Sequence, residues 1–191
     1  MKPRMDMFKI EPDAYKAMRT LESYISQHLD KTLLELIKIR ASQMNQCAFC
    51  LNMHTKDARK NGETEERIYA LNAWRESPLY TQRERAVLAF TEAVTLISEE
   101  HVPDDVYDDM KRHFNDEEIA RILMAIITIN GWNRIAIATR RVPQYTNEKT
   151  NEFAAGDEKR ERLRQMLDQA IEPLADKLSV VEDFLNELNK K

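Results

Sequence analysis

The apolar residues of this chain recur every three or four positions along most of its length, the period of one face of an α-helix. Tyr15, Met18, Leu21, Tyr24 and Ile25 form a first stripe, with Asp13 as a candidate cap. Leu33, Leu34, Ile37, Ala41 and Met44 form a second and predict a helix over Lys31–Met44. After a break at Asn45-Gln46, a third helical segment runs from Cys47 to Lys60. Asn61-Gly62 closes it, because both residues tolerate left-handed backbone. Thr64, followed by Glu65 and Glu66, opens a fourth helix with Ile68, Leu71 and Trp74 inward. Thr81 and Glu84 make a capping box ahead of Ala86-Val87-Leu88-Ala89-Phe90 and predict a fifth. Pro103 suits the first turn of a sixth, with Val106, Met110 and Phe114 along it. Asn115 and Glu118 start a seventh. Its Ile119, Ile122, Leu123, Ile126, Ile127 and Ile129 make it apolar on most sides, as in a helix buried centrally in a bundle or against another subunit.

Composition strengthens this picture. The chain has 3 glycines in 191 residues, where average usage gives roughly 13, so the tight turns and bulges that sheets require are scarce. The expected fold is an all-α bundle. Val142-Pro143 closes its core, and residues 144–157, polar and containing Gly156, read as a linker. Beyond it Leu174, Leu178, Val181, Leu185 and Leu188 form a short heptad seam, for docking on the main domain or for a coiled contact with a subunit or partner. The organisation expected is a helical core over residues 1–147 and a charged helical extension over 148–191.

The net charge of −4 argues against a general nucleic-acid binder. No apolar run approaches the ~20 residues needed to span a bilayer, and Met1-Lys2-Pro3-Arg4-Met5-Asp6 leads into no hydrophobic signal core. A cytoplasmic, reducing location is the expectation, with neither membrane nor nucleic acid as partner. The two cysteines, Cys47 and Cys50, are too close in sequence to staple distant segments. Their spacing calls for a local explanation.

If Cys47 opens a helix, Cys50 lies one turn on and His54 one turn further, all on one face. A helix N-terminus and a neighbouring imidazole both favour a thiolate, the nucleophile toward peroxides and disulfides. The spacing favours Cys50 as the thiol paired with His54, and Cys47 as the partner that resolves the oxidised intermediate into a disulfide. Two plainer alternatives are a chance pair of buried cysteines and a zinc site. Zinc takes four ligands as a rule, and a fourth would have to come from His28, His101 or His113. No metal and no cofactor is expected.

The stretch from Leu34 through Arg40-Ala41-Ser42-Gln43-Met44 to Cys47-Ala48-Phe49-Cys50-Leu51-Asn52-Met53-His54 resembles the alkylhydroperoxidase D (AhpD)-like core of the carboxymuconolactone decarboxylase family. Asn130-Gly131-Trp132-Asn133-Arg134-Ile135-Ala136 resembles that family's closing helix, so the likeness covers roughly residues 30–145. The resemblance implies an all-helical fold that assembles into trimers or hexamers. It also implies a reactive second cysteine, here Cys50, with Cys47 as its partner, and a proton relay of His54 and a glutamate twelve residues before the first cysteine, here Glu35. Some members have a second histidine between the cysteines, where this chain has Phe49. A carboxylate beside an imidazole fixes its tautomer and raises its basicity, which suits Glu35 and His54 to that task. Taken as an ordinary helix residue, Glu35 would instead be an exposed partner for Lys38. Trp132 and Tyr69 are expected in the core or an interface.

The function expected is a thiol-dependent peroxidase or disulfide reductase of antioxidant type. It would reduce a small hydroperoxide and be reset by a dithiol such as a lipoyl group or a thioredoxin-like protein. The family's decarboxylase or lactone-processing branch, which does not rely on a CxxC pair, is a second enzymatic possibility. A redox-sensing or partner-binding helical module is a third reading, motivated by the charged extension.

Overall fold

The computed structural model describes residues 2–143, 145, 156, 159–167 and 169. Residues 2–144 form one compact unit. The described residues beyond it belong to a second, helical over residues 159–167. The heptad seam from Leu174 to Leu188, and all of the 144–157 linker except Tyr145 and Gly156, lie outside the described residues.

The first unit is helical, with no strand among its described residues: α1 (Met7–Ile10), α2 (Pro12–His28), α3 (Lys31–Met44), α4 (Ala48–Lys60), α5 (Glu65–Ala70), α6 (Gln82–Thr95), α7 (Ile97–Glu100), α8 (Asp104–His113) and α9 (Asp116–Ala138). A 3₁₀ turn, Leu71–Ala73, follows α5. Both expected capping boxes form, Thr81 with Glu84 and Asn115 with Glu118. Asp30 caps α3 by accepting the Leu33 N–H at 2.9 Å.

Three starts differ from the sequence reading. Helix α2 begins at Pro12, whose ring presets the helical φ and whose missing N–H costs nothing there. Asp13 is therefore inside the first turn, acting on the helix dipole, and Glu11 holds the cap position. Pro103 stands at the cap of α8, one residue ahead of the helix. The single turn α1, capped by Asp6, is too short to leave a periodic signal.

Helix α3 is the centre of the unit and packs on α4, α6 and α9. Every residue from Leu33 to Ile39 is buried. Its Leu34, Ile37 and Ala41 join Ile25, Val87, Ile122 and Ile126 in one core. Its Leu36 and Ile39 join Leu71, Trp74 and Leu88 in a second. Helix α9, expected to be buried centrally or against another subunit, has Ile119, Ile122, Ile126 and Ile129 in the core and leaves Met124, Ile127 and Ile137 exposed. Tyr24 stays outside both cores, stacked on His28 at the surface. Tyr69, expected in a core or an interface, is 74% exposed and belongs to neither core. Glu92 ties the second core together, accepting from Arg40 at 2.7 Å, from the Trp74 ring N–H at 2.6 Å and from Arg75. Burial pushes its carboxyl up, but these donors outweigh that and hold it below the ordinary range.

Three helices end in the same hydrogen-bonded motif, in which a left-handed residue turns the chain and the next N–H returns to the carbonyl five residues back. At α4 the left-handed residue is Gly62 (φ +94°) and Glu63 N–H reaches the Ala58 carbonyl. At α3 it is Gln46 (φ 57°) and Cys47 N–H reaches the Ser42 carbonyl. At α9 it is Arg140 (φ 54°) and Arg141 N–H reaches the Ala136 carbonyl. A side chain in that conformation costs roughly 1–2 kcal/mol.

A Cβ added at Gly62 meets no atom within 4 Å, so its cost isolates the backbone. Gly62→Ala is expected to lower the unfolding free energy by about 1–2 kcal/mol. Urea denaturation followed by circular dichroism measures this, and an unchanged midpoint would contradict it.

Candidate active site

The turn at Gln46 delivers Cys47 to the cap position of α4, where its Sγ accepts the Cys50 N–H at 3.4 Å. Both cysteines are free and buried. One turn further along α4 is His54, also buried, whose Nδ1 lies 3.0 Å from Glu35 Oε2 of α3. The structure thus brings the relay pair together across the α3–α4 packing. Glu35 is not an exposed helix residue but 7% accessible.

Its i,i+3 neighbour Lys38 is there too, with Nζ 3.6 Å from Glu35 Oε1 and 2.5 Å from Glu22 Oε1 of α2. Glu22 Oε2 in turn accepts the Trp132 ring N–H at 3.2 Å. A continuous chain of polar contacts therefore runs His54, Glu35, Lys38, Glu22 and ends on the indole. Lys38 is 5% exposed, and a buried ammonium is tolerated only when paired in this way. Sequence reasoning missed Glu22 and the buried role of Lys38. Their only signal was a lysine and a glutamate on faces otherwise apolar.

From α9 comes Asn133, fully buried. Its Nδ2 donates to Ser42 Oγ at 3.0 Å, and its Oδ1 accepts from Asn45 Nδ2 at 2.9 Å. Asn45 Nδ2 also reaches Asn130 Oδ1 at 2.9 Å. These amides fix the α3–α4 corner against α9.

The two thiols are electrostatically unequal. Cys47 is lowered to about 7, chiefly because the Cys50 S–H donates to it. The backbone N–H groups of Cys50 and Phe49 and the Asn133 amide add to this, against the opposing effect of burial. Cys50 is raised well above the ordinary thiol range, because it is the donor to Cys47, is buried, and faces that neighbour's charge. Arg141 and Asn133 oppose the rise. The pair thus carries one shared charge that rests on Cys47. The helix start favours a thiolate as anticipated, but at the first cysteine.

The two thiols are equally buried, but only Cys50 borders a cavity. A cavity of about 270 Å³ is lined by Cys50 and His54, with Phe49, Met53, Trp132 and Arg141 among its walls, and Cys47 is not part of its lining. Trp132, expected in core or interface, is half-buried on this cavity. Among the described residues, no group of three or more Cys, His, Asp or Glu side chains is arranged to hold a metal, and no helix is long and apolar enough to cross a membrane.

The profile of the carboxymuconolactone decarboxylase family matches residues 12–93. The chain is 47% identical over 139 residues to the uncharacterized protein YdfG of Bacillus subtilis (strain 168), an alignment spanning 72% of this chain and 95% of YdfG. Among solved structures it resembles ATU0492 of Agrobacterium tumefaciens, a protein of unknown function for which an antioxidant defence role of the AhpD type has been suggested. That match has 46% identity and a TM-score of 0.74, over 75% of this chain and 99% of the other. An uncharacterized peroxidase-related protein of Silicibacter sp. TM1040 is 26% identical with a TM-score of 0.61, over 68% of this chain and 69% of the other. The fold is AhpD-like.

One thiolate is expected to appear as pH rises through about 7 and to revert to thiol below it. Cys50 adds no second step in the ordinary thiol range. Ultraviolet thiolate absorbance measures this. Cys47→Ser should remove the step near neutrality, and its persistence in that variant would assign the charge to Cys50 instead.

Proposed function

Because the chain belongs to the carboxymuconolactone decarboxylase family and carries its thiol pair on a cavity beside a buried Glu35–His54 couple, we propose that it is a thiol-dependent peroxidase with disulfide-exchange chemistry. The observation that carries the reading is the division of labour between the two cysteines. Cys50 lines the cavity and Cys47 does not, while the Cys50 S–H and the N–H groups at the start of α4 lower the Cys47 thiol and favour negative charge there. The proton between them needs only to shift toward Cys47, or to leave by His54, for Cys50 to become the nucleophile.

The Cys50 thiolate attacks the terminal oxygen of a hydroperoxide. The O–O bond breaks, and the departing alkoxide takes a proton from His54, whose charge Glu35 balances at 3.0 Å. Cys50 is left as a sulfenic acid. Cys47 attacks its sulfur, water leaves, and a Cys47–Cys50 disulfide forms. An external dithiol then reduces the disulfide by exchange and becomes a disulfide itself. One hydroperoxide and one dithiol give one alcohol, one water and one oxidised dithiol. A lipoyl group or a thioredoxin-like protein has the required chemistry. Lys38, held between Glu22 and Glu35, fixes the position of the Glu35 carboxylate facing His54.

Hydroperoxide consumption with a dithiol donor tests the scheme. Cys50→Ser is expected to abolish turnover and the first-turnover burst. Cys47→Ser is expected to keep the burst but stall as a sulfenic acid that a dimedone-type reagent can trap. A burst lost in Cys47→Ser and kept in Cys50→Ser would exchange the two roles, and rates untouched by either substitution would remove the thiol mechanism. Glu35→Gln and His54→Ala are expected to lower kcat/KM by about 10²–10⁴-fold.

A further inference from the structure

Which peroxide reaches Cys50 is governed by the charges around the cavity. Two carboxylates line it, Glu22 and Asp57. Each is already engaged: Glu22 with Lys38 at 2.5 Å, and Asp57 with Lys60 at 3.4 Å. Of the three lining cations, Lys38 is committed between Glu22 and Glu35. Arg19 and Arg141 are not committed to any carboxylate among the described residues. Arg141 Nη1 donates to the Tyr15 hydroxyl at 3.1 Å, and its guanidinium lies over the Phe49 ring, 4.5 Å from the centroid. Two uncommitted arginines on one small cavity also run against the protein's net charge of −4.

Arg141 is held in place from two directions. Its N–H closes the end of α9 on the Ala136 carbonyl at 2.8 Å, and its side chain is fixed by Phe49 and Tyr15. The guanidinium stays close enough to Cys50 to oppose the rise of that thiol's pKa. Around it the wall is apolar, formed by Phe49, Met53, Trp132 and Ile135. At about 270 Å³ the cavity is at the small end of ligand sites, which run roughly 300–1,000 Å³.

We propose that this cavity takes a small organic hydroperoxide bearing a carboxylate, with the apolar body against Phe49, Met53 and Trp132, the carboxylate on Arg141 and Arg19, and the O–O bond at Cys50. The proposal rests on the peroxidase reading above and adds the substrate class. A guanidinium fork matches a carboxylate in two parallel hydrogen bonds, which fixes the direction of the bound molecule as well as its charge. The carboxylate is unchanged by the reaction, and the product is the corresponding hydroxy carboxylate.

Iodoacetate and iodoacetamide are alkylating agents of nearly equal size that differ in carrying a carboxylate, and they probe the site whether or not the protein turns over peroxide. The ratio of their rates at Cys50 is read by peptide mass spectrometry on the reduced full chain. It is expected to fall by about tenfold in Arg141→Gln and by less in Arg19→Gln, and to recover in part in Arg141→Lys. Added salt should slow iodoacetate, but not iodoacetamide, in the unsubstituted protein, a readout that needs no variant to fold. A ratio indifferent to both arginines and to salt overturns the proposal.

The second arm compares kcat/KM for a carboxylated aryl hydroperoxide and its methyl ester. Preference for the acid is expected, and so is its loss in Arg141→Gln. Equal values in the unsubstituted protein overturn the substrate class. Consumption of neither compound overturns the peroxidase reading and the peroxide named here with it. An intact alkylation ratio would in that event still identify a carboxylate site at Arg141.

Discussion

The buried amide of Asn133 is the constraint on which the site depends. It comes from α9, yet it bonds Ser42 and Asn45, on either side of the point where α3 stops, and its amide also acts on the two thiols. An amide sealed in a core must satisfy both its donor and its acceptor, so this one permits only one relation between the α3–α4 corner and α9. That relation sets Cys47 at the start of α4 and puts Cys50 and His54 on the wall shared with Trp132. The left-handed Gln46 follows from the same requirement. The chain accepts a side chain where glycine would be easier, and the turn it makes brings the first sulfur to the helix cap.

The chain of polar contacts from His54 to Trp132 is the second constraint. Burying Lys38 and Glu35 in the middle of the central helix is costly unless every charge has a partner. Here each does, with Glu22 of α2 closing the chain from outside. The arrangement joins three helices and the indole of a fourth through groups that also orient one imidazole. The packing of these helices and the geometry at His54 therefore rest on the same atoms.

Much of this was legible in the sequence because it is local. The capping boxes at Thr81 and Asn115 are read within four residues, and the bounds of α3 follow from the period of Leu33, Leu34, Ile37, Ala41 and Met44. The thiol pair and His54 declare themselves by spacing on one helix. Glu35 needed the family likeness, since a glutamate on a helix is ordinarily solvated. Glu22 gave only the weak signal of a carboxylate on an apolar face and Arg141 gave none, because each reaches the site through tertiary packing from a distant part of the chain. The centrality of α3 over α9 was hidden for a different reason. Glu35 and Lys38 interrupt the apolar pattern of the helix that is in fact surrounded, whereas the isoleucines of α9 continue onto its exposed side.

Phe49 carries one more consequence. Between the two cysteines this chain has a ring that bears the guanidinium of Arg141, not an imidazole. An imidazole gains and loses its proton within the pH range of living cells, and an arginine does not. The positive charge beside Cys50 is thereby a fixed property of the scaffold, insensitive to acidification, and it is supplied by the far end of the last helix of the core. In the proposed reaction, the charge that receives a molecule is then separate from the proton that is moved on it.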